Sequence, residues 1–584
     1  MTGLIGTVSG DGRLDEMAAA LYREDWYELD RASDGSAAFG VLEHASRDPD
    51  ANVVWRSEGL IGVVYGVVSN RDRLGLSWGE LFRGVVDDGR ETLARLDGPF
   101  ALACVDTRAD VVHLATDRAG SRPLYYATGD GIDFASELSP LLSCVDDPAL
   151  DPRSVADLLS FGGVLGERTL VEGVKSLPPA THLVFDGEAR TERYWEPTSE
   201  GLAPSGYPDR WLADYRRALV DAATTAADGS LWFPGDGDSR IAAGVLADES
   251  VPVETLTCGH RTAGDRESAA QVAAYLDVPN RQVHDDPDRH LVDAVADAVE
   301  ATDAMVPWTT VDALSYATGR LHDDADTLLY GDPGFGVAPW AGTLQAGDSA
   351  AAALYEHERL LPADAVRDLL TVAVDPLDAA TETVSACVDG PSERTAVDAA
   401  RTLRAATDLR GRSVQRSQVG TRSLTAESLL DTTARMPACY RVGTRPLSDP
   451  VAGGQPPIRR AVVRRLDPEL AQIPTGNGSG GTSRPDVRGG GTTAEAASLA
   501  TDGDAYLGRY ATDDRFRRFV DDLLERVGER DVVDADGVTA LHDALAAGEL
   551  STFTPVAALT GIELWARTHL DGRGRSVTRR AVEV

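Results

Sequence analysis

Residues 231–244 read LWFPGDGDSRIAAG, and this stretch decides how the second half of the chain folds. The apolar run at 231–233 predicts a short buried strand, and the Pro, Gly and Asp residues that follow predict a turn. Asp238 and Ser239 then open a predicted helix that continues to Leu246. A strand, a glycine-bearing turn and a helix N-terminus together bind phosphate in α/β proteins, because free backbone N–H groups and the helix dipole face the anion there. This turn carries two aspartates and no lysine.

The segments around this stretch alternate between helix and buried strand from about residue 210 to 345. The pattern predicts helices at 211–227, 241–248 and 266–278, and strands at 231–233, 253–258, 281–284 and 327–332. Strands separated by helices of this length are typical of a parallel sheet with helices on both faces.

The rest of the chain has two other sequence patterns, one typical of strands and one typical of helices. Residues 1 to about 145 are rich in short β-branched and aromatic runs, which predict strands at 60–70, 100–106, 111–117 and 123–129. Residues 346 to about 470 and the last 80 residues, including 514–527 and 538–548, have helical patterns. The Gly/Ser-rich stretch 475–493 predicts a loop, and the sequence does not decide whether it is a lid or a linker.

Composition narrows the class of protein. The chain has 584 residues and a net charge of −38, which argues against a nucleic-acid partner because phosphate backbones require basic grooves. Lys175 is its single lysine. The replacement of lysine by arginine and acidic residues is expected of a protein from a halophile. The alternative is an acidic protein from an ordinary GC-rich organism. Five scattered cysteines, no apolar run long enough for a membrane span and no signal-peptide pattern together predict a cytoplasmic protein.

Residues 95–142 carry a pattern that is specific to one family. They resemble the glutaminase half of the asparagine synthases, whose pattern is close to L-x-G-x-F-A…D-R-x-G-x-x-P-L-Y-Y…F-A-S-E. The matching residues are Leu96, Gly98, Phe100, Ala101, Asp117, Arg118, Gly120, Pro123, Leu124, Tyr125, Tyr126, Phe134, Ala135, Ser136 and Glu137. The start, MTGLIG, is similar to the family's M-C-G-x-x-G, and residues 171–195 are similar to its bridge into the synthetase half.

The resemblance implies a fold with two main parts. Residues 1–150 would form an α+β, Ntn-hydrolase-like αββα sandwich of the glutamine amidotransferase type 2. Residues 151–205 would connect it to the second part, 206–584. That part would be an α/β ATP-pyrophosphatase domain with a parallel sheet and a helical C-terminal region.

The residues of the glutaminase site differ from the family pattern. The family's N-terminal cysteine, whose own amine is the general base, corresponds to Thr2, whose hydroxyl attacks amides less readily than a thiol. The glutamine-binding loop N-G-E-I-Y-N aligns with residues 65–70, where Gly66 and Asn70 match and the family's first Asn and its Glu are lost. Thr2 is therefore the candidate catalytic residue of a half that we expect to be an inactive scaffold.

The synthetase half keeps parts of both family loops. Residues 234–239, PGDGDS, stand where the family has S-G-G-x-D-S, and residues 328–336 stand near its G-E-G-A-D-E. The resemblance assigns nucleotide binding to Gly235, Asp236, Gly237, Asp238, Ser239 and Gly331. It assigns a magnesium ion to Asp238 and catalytic roles to Asp332 and Arg459, the latter (or Arg460) in place of a family lysine that is absent here.

Two functions follow from this pattern. The first is an asparagine-synthase-like, ATP-dependent ligase that uses Mg²⁺ and joins aspartate or another carboxylate to ammonia or another amine. The second is an inactive relative that acts by binding, as a partner or regulator of an active enzyme. Neither the substrate nor the oligomeric state can be read from the sequence, so a homodimer or a protein partner remains open.

Overall fold

The structure is a computed structural model. It describes residues 3–8, 11–22, 27–43, 52–57, 59–118, 120–195, 207–225, 230–232, 237–258, 263–283, 290–310, 328–330, 349–388, 428–430, 457–474 and 506–572.

Two antiparallel six-stranded sheets form the described part of the N-terminal half. In spatial order the first sheet contains β10 (Val174–Ser176), β8 (Tyr125–Thr128), β9 (Ile132–Ala135), β1 (Gly3–Thr7), β3 (Ala38–Glu43) and β2 (Glu28–Ser33). The second contains β12 (Ala189–Arg193), β11 (Thr181–Phe185), β7 (Val111–Thr116), β6 (Phe100–Asp106), β5 (Leu60–Gly66) and β4 (Val53–Ser57). The strands predicted at 60–70, 100–106, 111–117 and 123–129 are confirmed as β5, β6, β7 and β8.

The two sheets pack face to face and each is covered by a helix on its outer face. Phe39 and Phe134 of the first sheet meet at 5.0 Å between ring centroids, in a core shared with Ile61 and Val63 of the second. Helix α1 (Asp11–Leu21) covers the first sheet, and α3 (Trp78–Ala94), which follows the short α2 (Arg71–Leu74), covers the second. Helix, sheet, sheet and helix are the four layers expected of the N-terminal sandwich.

Three of these strands come from the segment predicted to connect the two halves. β10 pairs with β8, β11 pairs with β7, and β12 extends the second sheet beyond β11. Their pairing continues the antiparallel ladders and hides edges of both sheets. The 151–205 segment therefore belongs structurally to the sandwich as well as leading out of it.

The second half contains a parallel sheet. Among the described residues its order is β15 (Asn280–Val283), β14 (Glu254–Cys258), β13 (Ser230–Trp232), β16 (Leu328–Tyr330) and β17 (Ser428–Leu430), and each neighbouring pair is parallel. The predicted parallel sheet is confirmed, whereas β17 lies in a region predicted to be helical. Beside the sheet lie α5 (Tyr207–Thr225), α6 (Gly237–Asp248) and α7 (Ala263–Leu276), whose apolar faces share one core.

The remaining described elements are helices. They are α4 (Pro152–Phe161), α8 (Leu291–Thr302), α9 (Ala350–Glu358), α10 (Ala363–Asp368), α11 (Pro376–Val388), α12 (Pro457–Leu466), α13 (Asp514–Val527), α14 (Ala535–Ala547) and α15 (Thr554–His569). α13 buries apolar side chains at helical spacing, which explains why the sequence predicted it.

One buried aspartate joins the sandwich to these helices. Asp303 is 2% exposed and adopts the left-handed backbone conformation at the end of α8. Its carboxylate accepts the backbone N–H of Leu138 in the sandwich at 3.0 Å and the indole N–H of Trp565 in α15 at 3.3 Å. Because these partners come from distant parts of the chain, Asp303 links the sandwich to the helices α8 and α15.

No helix in the described part of the chain is both long and apolar enough to cross a membrane.

Candidate nucleotide-binding edge and the sandwich site

The candidate site lies at the carboxyl end of the parallel sheet. From β13 the chain adds β14 and then β15 on one side, and afterwards returns to place β16 on the other side of β13. The boundary between β13 and β16 is thus a point where the strand order reverses. In open α/β sheets, ligands bind in the crevice outside the strands' carboxyl ends at such a point.

The register brings the beginnings of both predicted loops to this edge. Trp232, the last residue of β13, pairs with Tyr330, the last residue of β16. The two strands therefore end level with each other. The loop 234–239 begins two residues after Trp232, and Gly331 follows Tyr330 directly. Two stretches that are about 100 residues apart in sequence thus start side by side.

Helix α6 begins within the first of these loops. Gly237 is its first residue and Asp238 its second, so the backbone N–H groups of the first turn have no partners within the helix. Ser239, the third residue, is 4% exposed. A helix of twelve residues that starts beside a strand's carboxyl end can receive an anion at its N-terminus.

Several of the predicted site residues lie outside the described part of the chain. These are Thr2, Gly235, Asp236, Gly331 and Asp332, together with the Gly/Ser-rich stretch 475–493. The side chains of Asp238 and Arg459 are also outside it, although both residues belong to described helices. Their proposed roles remain predictions.

Arg459 belongs to α12, which packs against α6. Val462 and Val463 of α12 share a core with Ile241 of α6. A Cβ atom added to Gly244 would lie 2.8 Å from a terminal methyl of Leu466, so the two segments approach closely at this glycine. The packing places the helix that carries Arg459 next to the helix that begins at the candidate site.

Sequence reasoning missed Arg240, which is buried in the first turn of α6. Cations are disfavoured near helix N-termini because the dipole is positive there. The unusual position of an arginine directly after Asp238-Ser239 was therefore the sequence signal that could have marked Arg240 as a residue with a special role.

In the sandwich, the end of β5 carries the positions where the family has Asn-Gly-Glu. Tyr65 is 2% exposed and its ring lies 5.1 Å from the Arg122 guanidinium carbon, which is itself buried. Gly66 has φ +94°, and an added Cβ would lie 2.3 Å from the Pro99 carbonyl oxygen. Val67 is also buried. An aromatic ring and an aliphatic side chain thus stand where the family pattern has an amide and a carboxylate.

Asn70, the other match in this loop, forms internal hydrogen bonds. Its side-chain amide donates to the Arg95 carbonyl at 2.9 Å and to an Asp97 carboxylate oxygen at 3.2 Å, and its oxygen accepts the Asp97 N–H at 2.9 Å. Arg118 pairs with the other Asp97 oxygen at 2.9 Å. Asn70 therefore closes the loop between β5 and β6.

A buried histidine pair lies between the second sheet and α3. His113 Nδ1 and His182 Nε2 are 3.1 Å apart, and the rings are stacked. Burial, reinforced by the neighbouring His182 ring, lowers the pKa of His113 to about 4, and burial also lowers the pKa of His182. Across the described residues, no group of three or more His, Cys, Asp or Glu side chains is arranged to hold a metal ion.

Comparison with known proteins supports an amidotransferase-type sandwich. A glutamine amidotransferase domain profile matches residues 81–195. Asparagine synthetase [glutamine-hydrolyzing] 1 of Bacillus subtilis is 25% identical over 199 residues, which are 32% of this chain and 31% of that protein. Asparagine synthetase [glutamine-hydrolyzing] 3 of the same organism is 28% identical over 148 residues, 25% of this chain and 24% of that protein.

A solved structure also matches, glutamine phosphoribosylpyrophosphate amidotransferase from B. subtilis complexed with ADP and GMP. The identity is 14%, with 48% of this chain and 65% of that chain covered, and the TM-score is 0.24. The TM-score is too low to support any structural argument.

The matching profile, the two antiparallel sheets and the two relatives define an amidotransferase-type sandwich. Over the matched residues the chain is similar to the asparagine synthetases, at 25% and 28% identity. It spans less than a third of the length of the curated relatives it matches.

Proposed function

We propose that this chain is an ATP-dependent, amide-forming ligase of the asparagine synthase type, with a glutaminase half that does not hydrolyse glutamine. It would activate a carboxylate by adenylation, release pyrophosphate and join the carboxylate to ammonia or another amine. The single observation that carries the proposal is the level ending of β13 and β16 at the strand-order reversal, where both family-like loops begin.

The residues at this edge suit a magnesium-bound nucleotide. The first turn of α6 would offer backbone N–H groups to phosphate oxygens, and Ser239, which matches the family pattern, is buried in that turn. Asp236 and Asp238 would repel bare phosphate, but carboxylate oxygens are the ligands that Mg²⁺ prefers, and an ion between them and the phosphates removes the repulsion. MgATP would supply the adenylyl group and the pyrophosphate leaving group.

The remaining assignments follow the family pattern. Asp332 follows the last residue of β16 by two positions and would supply a second carboxylate to the reaction. Arg459, on the helix that packs against α6, would supply positive charge where the family has a lysine. A guanidinium binds phosphate through a planar fork, so its contacts would differ from those of an ammonium.

The inactive glutaminase half is supported by two changes. Thr2 replaces the cysteine nucleophile, and Tyr65 and Val67 replace the family's amide and carboxylate with a buried phenol ring and a buried aliphatic side chain. Without these polar groups, neither the bound glutamine nor the developing oxyanion would be stabilised. Free ammonia, or an amine within the substrate, would then be the nucleophile.

The test is release of AMP and pyrophosphate from MgATP, with aspartate and either ammonia or glutamine. Molar KCl is the appropriate medium because the chain carries a net charge of −38. Release with ammonia but not with glutamine is expected. Release with both would overturn the inactive glutaminase half. A folded protein that neither releases pyrophosphate nor binds ATP would overturn the ligase and favour the relative that acts by binding a partner.

A further inference from the structure

The first turn of α6 is tied to a distant segment of the chain through Arg240. The Arg240 side chain is 3% exposed and extends from α6 towards the segment Leu470–Pro474. Its guanidinium donates to the carbonyl oxygens of Ile473 at 2.6 Å, Pro474 at 3.2 Å and Leu470 at 3.3 Å. One side chain therefore holds three carbonyls of a single short segment.

Helix α7 completes this arrangement. Arg240 Nη2 donates to the Ser268 hydroxyl at 3.2 Å, and that hydroxyl donates to the Pro474 carbonyl at 2.9 Å. Ser268 is 4% exposed. The first turn of α6, the middle of α7 and the segment Leu470–Pro474 thus share one buried hydrogen-bond network, which we call the Arg240 clamp.

The guanidinium geometry suits this task. Ile473 and Pro474 follow the short 3₁₀ helix Leu470–Gln472, so their carbonyls have no partner within that helix, whereas the Leu470 carbonyl also accepts the Ile473 N–H at 3.4 Å. The planar fork of arginine presents five donors, whereas a lysine ammonium presents three from a single point. Arginine can therefore reach several carbonyls and a hydroxyl at once.

The clamp is adjacent to the nucleotide-binding residues in sequence. Arg240 follows Ser239 directly and is the fourth residue of α6. Its described hydrogen bonds go to Leu470–Pro474 and to Ser268, so the role inferred from them is not a direct phosphate contact. Further along the same face, the Gly244 contact with Leu466 keeps the two segments close.

We propose that Arg240 is a positioning residue for nucleotide binding. By fixing the first turn of α6 to Leu470–Pro474 and to Ser268, it sets the direction in which the turn presents its backbone N–H groups to phosphate. The inference rests on the proposed ligase function. Arg240 lies one residue beyond the family pattern, which ends at Ser239, so the pattern itself does not assign this role.

Kinetics of three variants test the proposal. Arg240→Met keeps the length and removes all donors, and we expect its KM for MgATP in pyrophosphate release to rise by about tenfold or more, with kcat changed by less than about threefold. Arg240→Lys should lie between wild type and Arg240→Met. Arg465→Met is the matched control, because Arg465 is half-exposed and pairs with Asp209 on the surface. An unchanged KM in folded Arg240→Met would overturn the proposal.

Hydrogen exchange provides a measurement that does not depend on turnover. In Arg240→Met, or in Ser268→Ala if the first variant does not fold, peptide amides of residues 466–474 should exchange at least about tenfold faster than in wild type, whereas those of α13 should not change. Unchanged exchange at 466–474 would overturn the clamp. Faster exchange in a protein whose wild type binds no ATP would refute the ligase and the positioning role, and would leave only a structural clamp.

Discussion

In the N-terminal sandwich, several residues that match the family pattern stabilise the backbone conformation. In the parallel-sheet half, the matching residues Asp238 and Ser239 lie in the first turn of a helix that follows a strand. Asp117 illustrates the first case. It is fully buried, and its carboxylate accepts the N–H of Phe100 at 3.1 Å and the N–H of Ser121 at 2.9 Å. It ties the start of β6 to the turn after β7.

Asn70 and Gly66 behave in the same way as Asp117. Asn70 closes a loop, and Gly66 permits a backbone approach that no larger residue allows. The positions that would touch glutamine, by contrast, carry Thr2, Tyr65 and Val67. Asp117, Asn70 and Gly66 thus match the family pattern at positions that stabilise the backbone, whereas the differences fall at positions that the proposal assigns to the reaction. In the parallel-sheet half, the matching residues Asp238 and Ser239 lie in the first turn of α6, where an anion could be bound.

The largest expected effect is on the parallel-sheet half. Asp238→Ala should lower pyrophosphate release by about 100-fold or more, because it removes a proposed magnesium ligand next to the phosphates. Asp248→Ala, at the other end of the same helix, is the matched control because its carboxylate is more than half exposed and pairs with Arg216. Equal activity in both variants would mean that α6 does not bind the nucleotide through Asp238.

The next prediction concerns the sandwich and its stability. Gly66→Ala places a Cβ atom 2.3 Å from the Pro99 carbonyl oxygen at φ +94°, and we expect the free energy of unfolding to fall by roughly 3 kcal/mol. Gly129→Ala, where no atom lies within 4 Å, should change it by less than about 0.5 kcal/mol. Denaturant unfolding of both variants measures the difference. Similar values would show that Gly66 is not required by the backbone.

Much of this fold was predictable because its signals are local. Alternating β-branched runs identified β5 to β8, and buried runs between helices identified the strands β13 to β16. β17 was missed because three residues, Ser428–Leu430, carry too little pattern to be distinguished from helix. The strands β10 to β12 were assigned to a connecting segment, since the pairing of β10 with β8 and of β11 with β7, across about 50 to 70 residues, is not encoded locally.

For the candidate site, the sequence predicted the loops but not how they meet. The level ends of β13 and β16 depend on strand register and on the chain's return across β13, which are tertiary properties. Arg240 was missed because its partners lie about 230 residues further along the chain. Contacts of this length become visible only in the folded chain.

The next prediction concerns how the buried His113–His182 pair of the sandwich makes the free energy of unfolding depend on pH. The pKa of His113 is lowered to about 4, so the folded state favours its neutral form. The resulting stability is fully present above the unfolded pKa, near 6.5, and is lost as the pH falls towards 4, by up to about 3 kcal/mol. His113→Phe should lose less stability than wild type between pH 6.5 and 4 in denaturant unfolding. Parallel curves for the two proteins would show that the buried pair does not contribute.

The smallest expected effect is at Thr2. Thr2→Ala should change pyrophosphate release with ammonia by less than about twofold, and glutamine should remain inactive, because Tyr65 and Val67 stand in place of the family's amide and carboxylate. Ammonia release from glutamine by wild type, abolished in Thr2→Ala, would instead make Thr2 a working nucleophile. Thr2→Cys sharpens the question. If the thiol alone restored hydrolysis, the nucleophile would be the missing element. If it did not, the loss would lie in the replacement of the amide and the carboxylate by Tyr65 and Val67, which no exchange at Thr2 can repair.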